Sequence, residues 1–238
     1  MKHIFLTLLV STLATVGFAQ SAVINDANAQ PRTLSGSFHT IEVSSAVDLF
    51  LSQGTEEGLA VSASDVKWRG NIKTEVKDGV LHIWYENVGR ISFGRNRKLR
   101  AYVSFKTLDK LVASGASDVL VDGTIKSDHL ELHFSGASDF KGAVEANTLR
   151  VDIKGASDMT IKGTAGAINI DASGASDFKG YDLVSQTCDL TASGASDIKI
   201  TCNKELNATA SGASDVHIKG NGVIRNMRNS GASSVKKV

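Results

Sequence analysis

Ser-Gly-Ala-Ser-Asp stands at 114–118, 135–139, 173–177, 193–197 and 211–215, with Lys154-Gly155-Ala156-Ser157-Asp158 as a variant and Ser230-Gly231-Ala232-Ser233-Ser234 as a fading copy. The glycines of these copies lie 21, 19, 19, 20, 18 and 19 residues apart. A near-constant period of this length marks a solenoid, in which one repeat cannot bury its apolar face alone and stacks on its neighbours.

The chain between copies alternates apolar and polar residues. Leu206, Ala208 and Ala210 precede one copy, and Val216 and Ile218 follow it; Leu149, Val151 and Ile153, then Met159 and Ile161, repeat the pattern. Alternation with period two is a strand with one buried face. Continued through the motif, this parity turns the glycine and the second serine inward, and the alanine and aspartate outward. Glycine suits a sharp corner because it accepts positive φ and lets backbones approach. An inward hydroxyl, as on Ser214, needs a hydrogen-bond partner. Strands broken by corners, without helices between them, predict an all-β fold: a single-stranded, right-handed parallel β-helix with about 19 residues per coil over residues 111–238.

Outward, Asp118, Asp139, Asp158, Asp177, Asp197 and Asp215 form a column at the coil spacing of roughly 4.8 Å. Like charges at that separation repel by about 1 kcal/mol per neighbouring pair in water. Turn amides are expected to offset this, together with Lys141, Lys179 and Lys199, each two residues beyond its aspartate. Calcium on the column is the alternative; no metal or cofactor is assigned.

Residues 37–110 read as an irregular N-terminal β region. Alternating strands run through Ile41 and Val43, Val47 to Leu51, and Leu59 to Ala63, and Lys77-Asp78-Gly79 marks a tight hairpin between Val76 and Leu81. Ser45-Ala46-Val47-Asp48 and Ser62-Ala63-Ser64-Asp65 resemble worn copies of the motif, so the region is either the irregular start of one body or a separate β-domain capping the first coil. Ahead of it, Lys2 and His3, the apolar run Ile4 to Leu13 and the small-x-small ending at Ala19 read as a secretory signal over 1–19; 20–36 reads as a flexible leader. No stretch reaches the roughly 20 apolar residues of a membrane span.

Loss of Lys2 with the signal leaves 25 basic residues against 25 acidic ones, which argues against nucleic acid as a partner. Cys188 and Cys202 are the only cysteines. In an exported protein they either pair or serve as small buried apolar residues.

Phe38-x-x-Ile41-x-Val43, Lys73-Thr74-Glu75-Val76-x-Asp78-Gly79-x-Leu81-x-Ile83 and the recurring Ser-Gly-Ala-Ser-Asp turns together resemble the head GIN domain family, described as auto-transporter adhesins of exported bacterial proteins. The resemblance implies an adhesin-like role and supplies no catalytic or ligand residues. Near-identical copies of Ser-Asp in every coil are a structural device, since a nucleophile needs one activated copy beside a base. The expected function is therefore a non-enzymatic, exported binding module of the envelope or surface, with a glycan, a surface protein or a second copy of itself as partner. A polysaccharide lyase or hydrolase working on a β-helix face, and a purely structural envelope domain, are the alternatives. The least repetitive stretch holds the expected ligand site: Trp68, Trp84, Tyr85, Arg95 and Arg97, aromatic faces and cations suited to an acidic glycan. Its ordinary reading is core packing for the aromatics and solvated charge for the loop.

Overall fold

The computed structural model describes residues 26–86 and 97–238. The signal segment and Arg95 therefore lie outside the described residues.

The described residues form sixteen strands and one short helix: β1 (Gln30–Arg32), β2 (Thr40–Val43), β3 (Val47–Gln53), β4 (Gly58–Ala63), α1 (Val66–Arg69), β5 (Ile72–Lys77), β6 (Val80–Tyr85), β7 (Leu99–Phe105), β8 (Lys110–Ala113), β9 (Val119–Phe134), β10 (Phe140–Ile153), β11 (Asp158–Ala172), β12 (Asp177–Ala192), β13 (Asp197–Gly212), β14 (Asp215–Lys219), β15 (Val223–Gly231) and β16 (Ser234–Lys237). β9 to β13 each wrap most of one coil and pair in parallel with the next, giving a β-solenoid of about seven turns with about 19 residues per coil. The N-terminal strands join the same hydrogen-bonded network: β3 pairs with β9, and β8 pairs with both β9 and β2. Among the described residues antiparallel pairs appear only there, where β1 and β4 extend β7 and where β5 joins β6. Part of the expected leader is thus structured, since Gln30, Pro31 and Arg32 stand opposite Val61, Ala60 and Leu59.

The corner differs in one respect from strict alternation. The second serine is fully buried in six coils, from Ser117 to Ser214, and the alanine is exposed, but the glycine is exposed as well. Positive φ, such as 88° at Gly174, swings the chain outward and interrupts the parity. The bend brings each corner onto the one before it: the alanine amide donates to the preceding coil's glycine carbonyl, 2.7 Å from Ala175 to Gly155 and 2.8 Å from Ala213 to Gly194. Inside, the amides of Ser117, Ser138 and Ser196 donate to the hydroxyls of Ser138, Ser157 and Ser214 at 3.1–3.2 Å. Ser117 begins this ladder, and its own hydroxyl has no partner among the described residues.

The aspartate column is held as the turn chemistry predicts. The amides of Asp139, Asp158 and Asp215 donate to the preceding coil's carboxylate at 3.3, 2.9 and 3.3 Å. Lys179 bridges Asp158 at 2.8 Å and Asp177 at 3.3 Å. Asp48 starts the column beneath Asp118, and burial pushes its carboxyl up, with the charge of Asp118 acting in the same direction. Ser45-Ala46-Val47-Asp48 is accordingly a true worn corner, with positive φ at Ser45 and Ala46 beneath Gly115. Ser62-Ala63-Ser64-Asp65 is not a corner: Asp65 caps α1 by accepting the Lys67 amide at 3.0 Å.

Core volume is balanced between coils. Phe140, Met159, Phe178, Ile198 and Val216 stack in one column; two residues on stand Gly142, Ile161, Gly180, Ile200 and Ile218. A phenylalanine always precedes a glycine, because its ring occupies the space of the missing side chain. A Cβ on Gly180 would lie 2.3 Å from Phe178 Cε1.

Cys188 and Cys202 are free and buried. Cys202 stands in register with Ser185 and does similar work, donating to the Glu205 carbonyl at 3.3 Å as Ser185 donates to that of Thr187 at 3.0 Å. Hydrogen bonding to Cys202, reinforced by burial, pushes the Cys188 thiol up and away from reactivity.

Asp26 pins the N-terminal segment to β7, with its carboxylate 2.8 Å from the Tyr102 hydroxyl and 3.2 Å from Arg100. Burial opposes ionisation, but hydrogen bonds from Tyr102, Ser62, the Asn28 amide and Arg100 outweigh it and draw the carboxyl down to about 2. A depressed carboxyl stabilises above its unfolded value of 3.8 and loses that contribution as pH falls toward 2. Hydrogen exchange is expected to show residues 26–32 loosening over this window before the coils do, and Asp26→Asn is expected to loosen them already at pH 7.

Candidate functional site

β5, β6, β2, β8 and β9 lie side by side, so their outward residues form rows across the coil stack. One row runs Glu75, His82, Glu42, Val112, His133, Asp152, Asp171. Beside it, Trp84 stands opposite Lys73. Between these rows lies a groove of about 510 Å³, lined chiefly by Glu42, Glu75, Lys77, His82, Trp84 and Val112.

His82 Nδ1 lies 3.1 Å from Glu42 Oε2, which orients the imidazole across the groove. Glu75 is exposed and enters no ion pair among the described residues. Trp84 is half-buried on the outer face of β6. The groove therefore offers an indole face, two carboxylates, an imidazole and one ammonium over an apolar floor. Further along the row, His133 sits between carboxylates, with Nδ1 2.9 Å from Asp152 and Nε2 3.1 Å from Glu131. Arg150 closes a two-point ion pair on Asp152, donating from Nε and Nη2 at 3.1 Å each. The His133 hydrogen bond holds the Glu131 carboxyl below its ordinary range despite some burial, with Lys110 assisting. This second network satisfies itself and leaves little for a ligand. No group of three or more His, Cys, Asp or Glu side chains among the described residues could hold a metal ion.

The four expected site residues that are described, Trp68, Trp84, Tyr85 and Arg97, do not converge. Trp84 and Tyr85 are neighbours on one strand and so point to opposite faces. Tyr85 is buried in the core, with the Arg97 guanidinium 5.1 Å from its ring centre. Trp68 packs from α1 against the core, with Lys67 5.0 Å from its ring. Only Trp84 lines the groove; the residues around it, Glu42, Glu75 and His82, escaped the sequence reading. Their outward parity was visible, but the pairing of β6 with β2, across about 40 positions of chain, has no local signature.

A family model for "Putative auto-transporter adhesin, head GIN domain" matches residues 37–222. The chain belongs to the head GIN domain family. Among solved structures, this head GIN domain is similar to a "putative adhesin" from Bacteroides fragilis, with TM-score 0.81, 18% identity, and 88% of this chain and 96% of that one covered. It is also similar to a "putative adhesin" from Parabacteroides distasonis, with TM-score 0.69, 20% identity and coverage of 90% and 98%. A "putative lipid binding protein" from Parabacteroides distasonis gives TM-score 0.65, 18% identity and coverage of 90% and 98%. At these identities the likeness is one of fold. No curated protein matches the sequence.

Proposed function

We propose that this head GIN domain is a non-enzymatic, exported, adhesin-like module that binds a neutral or amine-bearing glycan in the groove beside Trp84. The observation that carries the reading is the setting of the indole: a half-buried aromatic face flanked by Glu42, Glu75 and His82. Sugar rings stack their C–H faces on such a surface, while carboxylates and imidazole accept and donate hydrogen bonds to hydroxyls. Two carboxylates at the rim repel a uronic or sialic acid and attract an amine, so the expected ligand changes from acidic to neutral or cationic. Export rests on the signal-like segment ahead of Gln20, and no helix among the described residues is long and apolar enough to cross a membrane.

A glycan array probed with the full chain tests the reading. Neutral and amino sugars are expected to be retained over acidic ones, and Trp84→Ala is expected to weaken binding roughly five- to tenfold through loss of the ring face. Retention of no glycan, or equal retention by Trp84→Ala, overturns it. Release of reducing ends from any polysaccharide in the same assay favours the enzyme instead.

A further inference from the structure

We infer that the last coil is a docking surface for an anionic lipid membrane. Charge in this chain is balanced overall, at 26 basic against 25 acidic residues, but not locally. Residues 216–238 carry Lys219, Arg225, Arg228, Lys236 and Lys237, and no Asp or Glu. Three local contacts engage part of this charge: Arg225 meets Glu205 at 2.6 Å, Lys237 donates to the Gly222 carbonyl at 3.1 Å, and Lys219 lies 4.2 Å from the Tyr181 ring centre. Arg228 and Lys236 are exposed and enter no ion pair among the described residues, though the Lys236 charge also acts on the Asp215 carboxyl one coil earlier.

Apolar side chains stand among these cations. Val223 and Met227, on either side of Arg225 in β15, are each 53% exposed. Met227 is in register with the buried Ala208, so an inward position here is open to solvent. Basic residues interleaved with exposed apolar ones match the interfacial layer of an anionic bilayer, where headgroups take the cations and the acyl boundary takes the apolar side chains. A soluble polyanion would answer only the charge. A second copy is disfavoured, because stacking two such coils opposes like charges. The inward positions that hold Ala210 and Ile218 one coil earlier also hold Asn229 and Lys237 here, and inward polar groups blunt an edge against further pairing.

Co-sedimentation of the full chain with phosphatidylglycerol/phosphatidylcholine vesicles tests the inference. Binding is expected at 0.1 M NaCl and is expected to fall at least tenfold at 0.5 M as screening shortens. Pure phosphatidylcholine should retain little protein. Arg228→Glu with Lys236→Glu is expected to weaken binding at least tenfold, given about fivefold per basic residue removed. Val223→Ser with Met227→Ser should weaken it several-fold. Lys98→Glu with Lys106→Glu, an equal change of net charge elsewhere on the chain, should stay within twofold of the parent, and unchanged circular dichroism melts verify that the variants fold. Failure to bind anionic vesicles, equal binding to neutral ones, or no difference between the two charge-reversal pairs overturns the inference. So does preferential retention on a soluble acidic polysaccharide, which would assign the patch to a polymer. Trp84→Ala should leave vesicle binding unchanged, so this result and the glycan result fail separately.

Discussion

Gly174→Ala is expected to destabilise the protein several times more than Gly123→Ala, although both glycines hold positive φ, 88° and 82°. At Gly123 an added Cβ meets nothing within 4 Å. The substitution there costs only the left-handed conformation, about 1–2 kcal/mol. At Gly174 the same Cβ would sit 2.5 Å from the Gly155 carbonyl oxygen and 3.0 Å from its nitrogen. That oxygen accepts the Ala175 amide at 2.7 Å, so the corner can relieve the clash only by breaking the bond that stacks it. A loss above about 4 kcal/mol is expected, among the exceptional values for one substitution. Urea unfolding of the two variants measures the difference. Equal costs would mean that backbone conformation alone, and not close stacking, selects glycine at the corner.

The second large effect lies in the core. Phe178→Ala is expected to cost about 3–5 kcal/mol, the usual range for emptying a buried aromatic site. Gly180→Ile alone should cost about 3 kcal/mol or more by overpacking, because its Cβ would fall 2.3 Å from the Phe178 ring and 3.2 Å from the Lys199 carbonyl. Phe178→Ile with Gly180→Ile recreates the Ile198 and Ile200 pair of the following coil. The double variant is expected within about 1.5 kcal/mol of the parent, as volume-conserving changes are. With Phe178→Ile alone expected to cost about 1 kcal/mol or more, the cycle of Phe178→Ile and Gly180→Ile gives a coupling of at least about 2 kcal/mol, characteristic of residues that share one space. Additive costs would show that the phenylalanine–glycine pairing is incidental.

Much of the architecture was legible because a period of about 19 residues repeats the same local chemistry. Strand alternation gave the interior from Leu206 to Ile218, and the buried serine and the carboxylate-to-amide column followed from the motif. The glycine was misplaced as inward because parity assumes a continuous strand, which a residue with positive φ interrupts. Asp65 resembles a corner because a short helix cap and a worn corner share the same Ser-Ala-x-Asp spelling; the Lys67 amide distinguishes them. The binding groove was the least legible part. Trp84 could be named from composition and the hairpin that sets Glu75 near it was marked by Lys77-Asp78-Gly79, but Glu42 arrives from β2 through a parallel pairing that local sequence does not encode. Tyr85 lies in the core and not beside Trp84, since the residue next to an outward tryptophan on a strand points inward.

The corner-to-corner bonds from alanine amide to glycine carbonyl, like the serine ladder, run along the solenoid axis. A tether pulled along that axis therefore loads every coil interface in series, and the weakest interface yields while the others stay closed. Each coil that opens lets out about 65 Å of chain, from 19 residues at roughly 3.4 Å each. Work done along the axis would then be spent one coil at a time.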